Sequence, residues 1–275
     1  MNAAWDRAFP DCIHDVAGRR FRSRMRLGLS AVTTLPWAQD IGSTSNRKAI
    51  EEVLDNTKAG LIVLDLPPGH SPLSNKGNNH WTIERHTRQL KLEKGEDPVD
   101  KWPATRKKQL NRATREGMTA EASQDLDLIV QLHQASRKRK DIRSNPIALR
   151  MLLNHLLEEP DTRAWVVCDA QGKPIAGGVF HGAEDGRCIY GFGGQFRSNE
   201  AGISSRATVL LIATAMRHAA DQGRHTFDFG GSQDKGVDRF YAEFGAPRIS
   251  KHRIVRIHGL WKPLLKWHRP DLFPS

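Results

Sequence analysis

Between Ala164 and Phe192 three strand-length runs follow one another: Ala164–Cys168, Pro174–His181 and Cys188–Phe192. Only turn-length polar segments separate them, Asp169–Gly172 and Ala183–Gly186, and both suit hairpin loops. Directly after this meander comes Ser204–Gln222, which is apolar on most sides. A helix of that kind must be covered over most of its surface. Gly223 is placed to close it, and His225–Phe229 reads as a further strand. An antiparallel meander that passes through a buried helix into another strand leaves few options. The expected core is a mixed sheet with a βαβ crossover.

The flanking segments extend this frame. Pro103–Arg115 reads as a helix with Pro in its first turn and Gly117 as its stop. Met118–Ala122 is a short strand, Asp125–Arg139 and Pro146–Leu157 are helices, Val237–Phe244 is a short helix, and Ile249–Ile257 is a last strand. Upstream, Asn46–Thr57 reads as a helix, Leu61–Leu66 as a buried strand, Ser71–Asn79 as a loop and Trp81–Leu92 as a strand or hairpin arm. The rest of the first eighty residues carries no clear period. The predicted fold class is α/β (α+β), a mixed and mostly antiparallel sheet flanked by helices. The 275 residues divide near residue 95, into 1–95 and 96–275.

Several strings in this order resemble the FemAB-like branch of the GNAT superfamily. Trp102–Met118 is similar to a basic family helix, with Arg112, Ala113, Arg115 and Gly117 carrying its pattern. Lys173–Gly178 resembles the family's Ala-Gly strand after a turn. Phe227–Ser232, followed by Val237–Ala246, resembles its D-F-G-G strand end and the R-F-x-x-x-F-G-A segment after it. Tyr241 stands where these enzymes usually have Lys, and the N-terminal part is short, so the resemblance implies a reduced first GNAT-like subdomain before the acyltransferase domain.

The resemblance implies an N-acyltransferase that moves an acyl group from acyl-CoA (acetyl-CoA) to an amine, with no metal. It places the pyrophosphate at the start of the apolar helix, where Arg197, Gly202, Ser204, Ser205 and Arg206 are suitable types. Unpaired N–H groups and the helix dipole attract an anion there. Ser204 reads equally as an ordinary N-cap. Tyr241 is implied as the proton donor to the leaving thiolate, since a phenol on a rigid helix holds its proton at neutral pH. Asp228 is a candidate to orient or deprotonate the amine, or else a tie for its loop. Gly230, Gly231, Ser232 and Tyr190 are candidates for substrate binding, with His181 and Tyr190 as weaker bases. No Ser-His-Asp or Cys-His set is present, so direct attack is expected, with a backbone N–H near Gly191–Gly194 polarising the carbonyl.

Charge and cysteines bound the partners. The net charge of +11 favours polyanions. Two basic clusters stand out: Arg106, Lys107, Lys108, Arg112 and Arg115, then Arg137, Lys138, Arg139, Lys140 and Arg143. They read as solvated helix faces or as contacts for phosphates of tRNA or of a lipid-linked cell-envelope precursor. A second reading is therefore aminoacyl-tRNA-dependent transfer to a peptidoglycan precursor or protein, and a third is a non-catalytic module that binds RNA or an anionic polymer. Cys12, Cys168 and Cys188 are isolated and suit a reducing cytoplasm. No apolar run reaches membrane-spanning length. Arg19-Arg20 with the weakly apolar stretch Leu27–Ala38 reads as folded chain and not as an export signal. The C-terminal Leu260–Arg269 mixes aromatic and basic residues and is expected to dock on the domain and not on a membrane surface, because Pro263 shortens it.

Overall fold

Turn residues punctuate the chain into the following elements. The first part comprises α1 (Ala3–Ala8), β1 (Ile13–Val16), β2 (Arg19–Arg26), β3 (Leu29–Thr33), α2 (Asn46–Asn56), β4 (Leu61–Asp65) and β5 (His80–Lys91). Then come α3 (Ala104–Arg115), β6 (Thr119–Ala122), α4 (Leu126–Arg139), α5 (Pro146–Leu157), β7 (Thr162–Cys168), β8 (Pro174–Gly182) and β9 (Arg187–Gln195). The chain closes with α6 (Ile203–Asp221), β10 (Thr226–Asp228), α7 (Lys235–Ala242), β11 (Arg248–Ile257) and α8 (Lys262–His268). This computed structural model describes residues 3–10, 13–16, 19–26, 28–38, 46–72, 79–142, 144–198, 200–231 and 234–274.

The chain forms two compact units. One comprises residues 1–87, 231–233 and 248–275, the other 88–230 and 234–247. The division falls at Arg88, and the last strand returns to the first unit, whereas the sequence suggested a single break near residue 95. The reason is β11, whose Arg253–Ile257 pairs antiparallel with Asp65–Leu61 of β4.

In the first unit β1, β2 and β3 form an antiparallel meander, and β3 runs parallel to β4. Its core collects Phe21, Val32, Ile50, Val53, Ile62, Leu64, Leu66 and Ile254. β2 escaped the sequence reading because its run Arg-Arg-Phe-Arg-Ser-Arg-Met-Arg offers Phe21 to the core and leaves Met25 exposed. A strand of this kind is recognised by alternating apolar residues, and here Ser23 interrupts the side that carries Phe21 and Met25.

In the second unit the strand order is β5-β10-β9-β8-β7-β6. β6 to β9 pair antiparallel as the meander predicted, and β9 and β10 pair parallel across α6. Successive residues face opposite layers. Val167 joins the core that α6 fills with Leu211, Ile212, Ala215 and Met216, whereas Gly177 lies against Leu132 of α4. Gly117, at φ +74°, ends α3 as expected. Asp125 and Asn145 cap α4 and α5 with side-chain oxygens.

The approach of α4 to β9 depends on Gly194, where a Cβ would overlap the main-chain carbonyl of Leu132. Backbone cannot swing aside as a side chain does, so Gly194→Ala must push the helix off the strand. We expect a loss of about 2 kcal/mol or more in urea unfolding. A midpoint unchanged from that of the parent chain would contradict this contact.

Candidate functional site

The second unit has a built opening in its sheet. β10 pairs with β9 only from Thr226 opposite Arg187 to Asp228 opposite Ile189. β9 continues to Gln195 along β8 alone, and its register shifts between Val179 and Phe180, so Gly191 is an extra residue in that ladder. Such a bulge bends a strand and re-aims its N–H groups, and bulges gather near active sites. Beyond Asp228 the chain turns through Gly230 and Gly231, at φ +77° and +69°. A Cβ on Gly230 would strike the Tyr190 carbonyl, so the turn can hug β9 only with glycine there.

Asp228 sits at the root of this opening. Its side chain is 0% exposed. One oxygen accepts from Arg187 Nη1 at 2.7 Å and Gln89 Nε2 at 2.8 Å, and the other from Gly230 N–H at 2.9 Å. Burial works against the charge of Arg187, but Asp228 and Asp185 outweigh it and hold the guanidinium protonated. A carboxylate so engaged ties strand to turn. Of the two roles foreseen for Asp228, these contacts supply the structural tie.

The two tyrosines of the chain meet beside the opening, with ring centroids 6.4 Å apart. Tyr190 is buried and stacks on Phe180 at 4.6 Å. It covers Gly178 and Gly193, whose missing side chains make room for the ring. Tyr190 is thus a packed core residue, and burial holds its hydroxyl well above the ordinary phenol range. Tyr241 is part-buried against Phe229 at 4.7 Å, and burial raises its hydroxyl too. It keeps its proton at neutral pH.

Two arginines fix the helix that carries Tyr241. Arg106 of α3 is 1% exposed, lies 4.1 Å over the Phe240 ring and donates to the Phe240 carbonyl at 2.9 Å. It also pairs with Glu243 at 2.7 Å. Arg88 of β5 grips Asp238 at 2.6 and 3.1 Å and donates to the Ala246 carbonyl at 2.7 Å. The sequence had grouped Arg106 with solvated basic residues and had not singled out Arg88, Asp238 or Arg187. A basic residue gives no local sign that its partner lies more than a hundred positions away.

The start of α6 departs from expectation. Its N-cap is Gly202, at φ +81°, and no side chain caps it. Ser204 is not the cap; its hydroxyl donates to the Phe196 carbonyl at 3.0 Å. Ser205 lies in the first turn, half-buried. Arg206 is buried and pairs with Glu116 at 2.6 Å and Glu200 at 3.5 Å. Glu116 in turn takes Arg112 at 2.7 Å. Arg206 therefore locks α3 to α6 and is not an open phosphate ligand. Arg197 is exposed and makes no ion pair among the described residues. Ser232, Arg143 and Cys12 lie outside the described residues.

Two buried histidines flank β9. His133 of α4 points Nδ1 at the Gly193 carbonyl, 3.2 Å away, and its ring meets Phe192 edge-on. A carbonyl only accepts, so Nδ1 carries the proton and Nε2 the lone pair. Burial, with Arg137 adding to it, pushes His133 down to about 4, and burial drives His181 to about 4 as well. Among the described residues no group of three or more His, Cys, Asp and Glu is arranged to hold a metal ion.

Two tests follow from these contacts. Asp228→Asn leaves Arg187 buried with half its compensation, so stability drops by about 3 kcal/mol in denaturant unfolding; a variant as stable as the parent would show that Asp228 is no structural tie. The histidines act through pH. Between pH 6.5 and 4 the unfolded chain binds protons that the folded chain refuses, so stability falls as pH falls through that window. The slope approaches about 1.4 kcal/mol per pH unit for each imidazole. His133→Gln should remove one such contribution in urea titrations run across the window, and an unaltered slope would refute it.

Residues 104–241, just over half of the chain, match a family model described as an acetyltransferase (GNAT) domain. No curated protein matches the chain in sequence. Among solved structures, FemX superposes with a TM-score of 0.62 at 13% identity, covering 96% of this chain and 92% of its own. A C-terminal domain assigned to a lysylphosphatidylglycerol synthetase of Agrobacterium fabrum gives 0.63 at 11%, covering 98% and 92%. L-PGS from Bacillus licheniformis gives 0.55 at 11%, covering 93% and 86%. At such identities the likeness is one of fold.

Proposed function

This chain belongs to the acetyltransferase (GNAT) domain family, and from that premise we propose that it transfers an acyl group from acyl-CoA to an amine. Its fold is GNAT-like and mixed α/β, and its likeness to FemX gives it a FemAB-like relation. The observation that carries the proposal is the parted pair β9 and β10, with the Gly191 bulge on one lip and Tyr241 beside it.

In this reading the donor's thioester lies along the free side of β9. A main-chain N–H of the bulged segment donates to the carbonyl oxygen as negative charge grows there. The amine lone pair attacks the carbonyl carbon and the C–S bond breaks. Tyr241 passes its proton to the departing thiolate, and the proton shed by the new amide nitrogen leaves through water. Asp228, Arg187, Arg88 and Arg106 are positioning residues that fix the two lips. The N–H groups at the start of α6, left without a side-chain cap by Gly202, would face the donor's phosphates, with Arg197 as the open cation. The acceptor is a small-molecule amine or an amine on a cell-envelope precursor.

A second reading has its own support. Arg206 is neutralised by Glu116, which weakens a pyrophosphate site at α6, and the likeness to FemX and to the lysylphosphatidylglycerol synthetases spans both units. Both points favour an aminoacyl group delivered on tRNA, with the basic faces of α3 and α4 as places for its phosphates.

Thermal unfolding in the presence of donors separates the two. Acetyl-CoA at about 100 times its dissociation constant adds about 2.7 kcal/mol, several degrees of Tm. Tyr241→Phe should lower kcat at least tenfold with KM and Tm almost unchanged, as expected when a proton donor is lost. No shift with any acyl-CoA at millimolar concentration, together with a shift caused by charged tRNA, would replace the first reading by the second.

A further inference from the structure

The last helical segment of the first unit carries three stripes at steps of four and three residues. The inner stripe is Trp261, Leu265 and, past the helix, Leu272, which pack with Leu61, Val63, Val255 and Ile257. This is the docking that the sequence suggested, and Trp81 completes it by donating its indole N–H to the Leu272 carbonyl at 2.7 Å. The second stripe is Leu260, Leu264 and Trp267, which are 84%, 46% and 78% exposed. The third is Lys262, half-buried with its ammonium 5.4 Å from the Trp81 ring, and the exposed Lys266 and Arg269. The inner stripe faces the domain, so the apolar and basic stripes border the outward side from its two flanks.

Folding does not explain the outer apolar stripe, because Leu265 and Leu272 already seat the segment. From His258 to Pro270 the sequence holds Lys262, Lys266 and Arg269, two histidines, His258 and His268, and no acidic residue, and the next residue, Asp271, pairs with Arg269 at 2.8 Å. An indole and two leucines beside lysines match a surface that is apolar just below a layer of negative charge. We propose that residues 258–270 rest on an anionic phospholipid bilayer, with Leu260, Leu264 and Trp267 in the headgroup boundary and Lys262 and Lys266 on lipid phosphates. RNA would offer phosphates to the lysines and a base to Trp267 but nothing to two leucines. A second copy of the chain would bring an identical basic stripe against this one. The contact is peripheral: no helix of the described residues is long and apolar enough to cross a membrane.

Vesicle flotation of the full chain tests it. We expect partition onto vesicles of phosphatidylcholine with about one-third phosphatidylglycerol, weaker partition onto phosphatidylcholine alone, and a decline with salt. Lys262→Gln/Lys266→Gln should lower partition about 25-fold, on the order of fivefold per basic residue. Leu264→Ser/Trp267→Ser should lower it at least tenfold. Leu264, Lys266 and Trp267 are exposed, so their variants should keep the parent Tm; Lys262→Gln also gives up the Trp81 contact, so Lys266→Gln alone, expected to lower partition about fivefold, is measured beside the double variant. On the unaltered chain, lipids brominated in the acyl region should quench tryptophan fluorescence. The proposal is overturned by absence of the parent chain from anionic vesicles, by binding that survives both double variants, or by a segment that binds homopolymer RNA or a second copy while vesicles stay bare.

Discussion

The buried pair of Asp228 and Arg187 is the contact on which the second unit depends. Asp228 is the last residue of β10 to pair with β9, and Arg187 lies opposite the first, so the ion pair spans the short ladder from one end to the other. Asp228 uses one oxygen on Arg187 and Gln89 and the other on the N–H of Gly230. The same carboxylate thus holds β9, β5 and the turn that leads the chain away. A hydrophobic residue at 228 could fill the volume but could not accept three hydrogen bonds, and the turn would lose its anchor. A buried ion pair is seldom the most stable filling of a core. Its retention makes sense if the position of the split matters more than the last few kcal/mol of stability.

The same logic runs through the arginines. The net charge of +11 invites a search for a polyanion on the surface, yet several of these cations are spent inside. Arg106 and Arg88 hold α7 from two sides, and Arg206 joins α6 to α3 through Glu116. Guanidinium suits these places because its planar fork can satisfy a carbonyl and a carboxylate together, as Arg88 does with Ala246 and Asp238. The basic helix α3 is accordingly two helices in one. Arg106 faces inward as a clamp, while Lys108 and Arg115 are exposed.

This division explains what the sequence disclosed. The meander, the apolar α6 and the caps of α4 and α5 were legible because each signal is local: periodicity, a Gly stop, an Asp or Asn before the first turn. The helix that carries Tyr241 was legible through the string around it. The contacts of Asp228 and Arg206 were not, because each depends on a partner far along the chain, Arg187 and Glu116, and the packing of Tyr190 was not, because it depends on the strand register that leaves room at Gly178 and Gly193. β2 was missed for a different reason. Its apolar side is broken by Ser23 between Phe21 and Met25, and a strand with so little apolar patterning borrows its stability from the strands beside it.

Tyr241 shows how much a site owes to such distant support. Its hydroxyl can serve a leaving thiolate only if the ring is held still, and nothing in α7 itself would do that, since the helix is eight residues long. An isolated helix of that length has little stability in water. It persists because Asp234 caps its start, Arg88 holds its middle through Asp238, and Arg106 holds its end through Phe240 and Glu243. The aromatic cluster of Phe229, Phe240 and Phe244 then fixes the ring from the sides. Each support comes from a different element, so the Tyr241 hydroxyl is placed by the whole unit and not by its own helix. A rigid support is what proton transfer requires, since a displacement of about 1 Å can cost two orders of magnitude in rate.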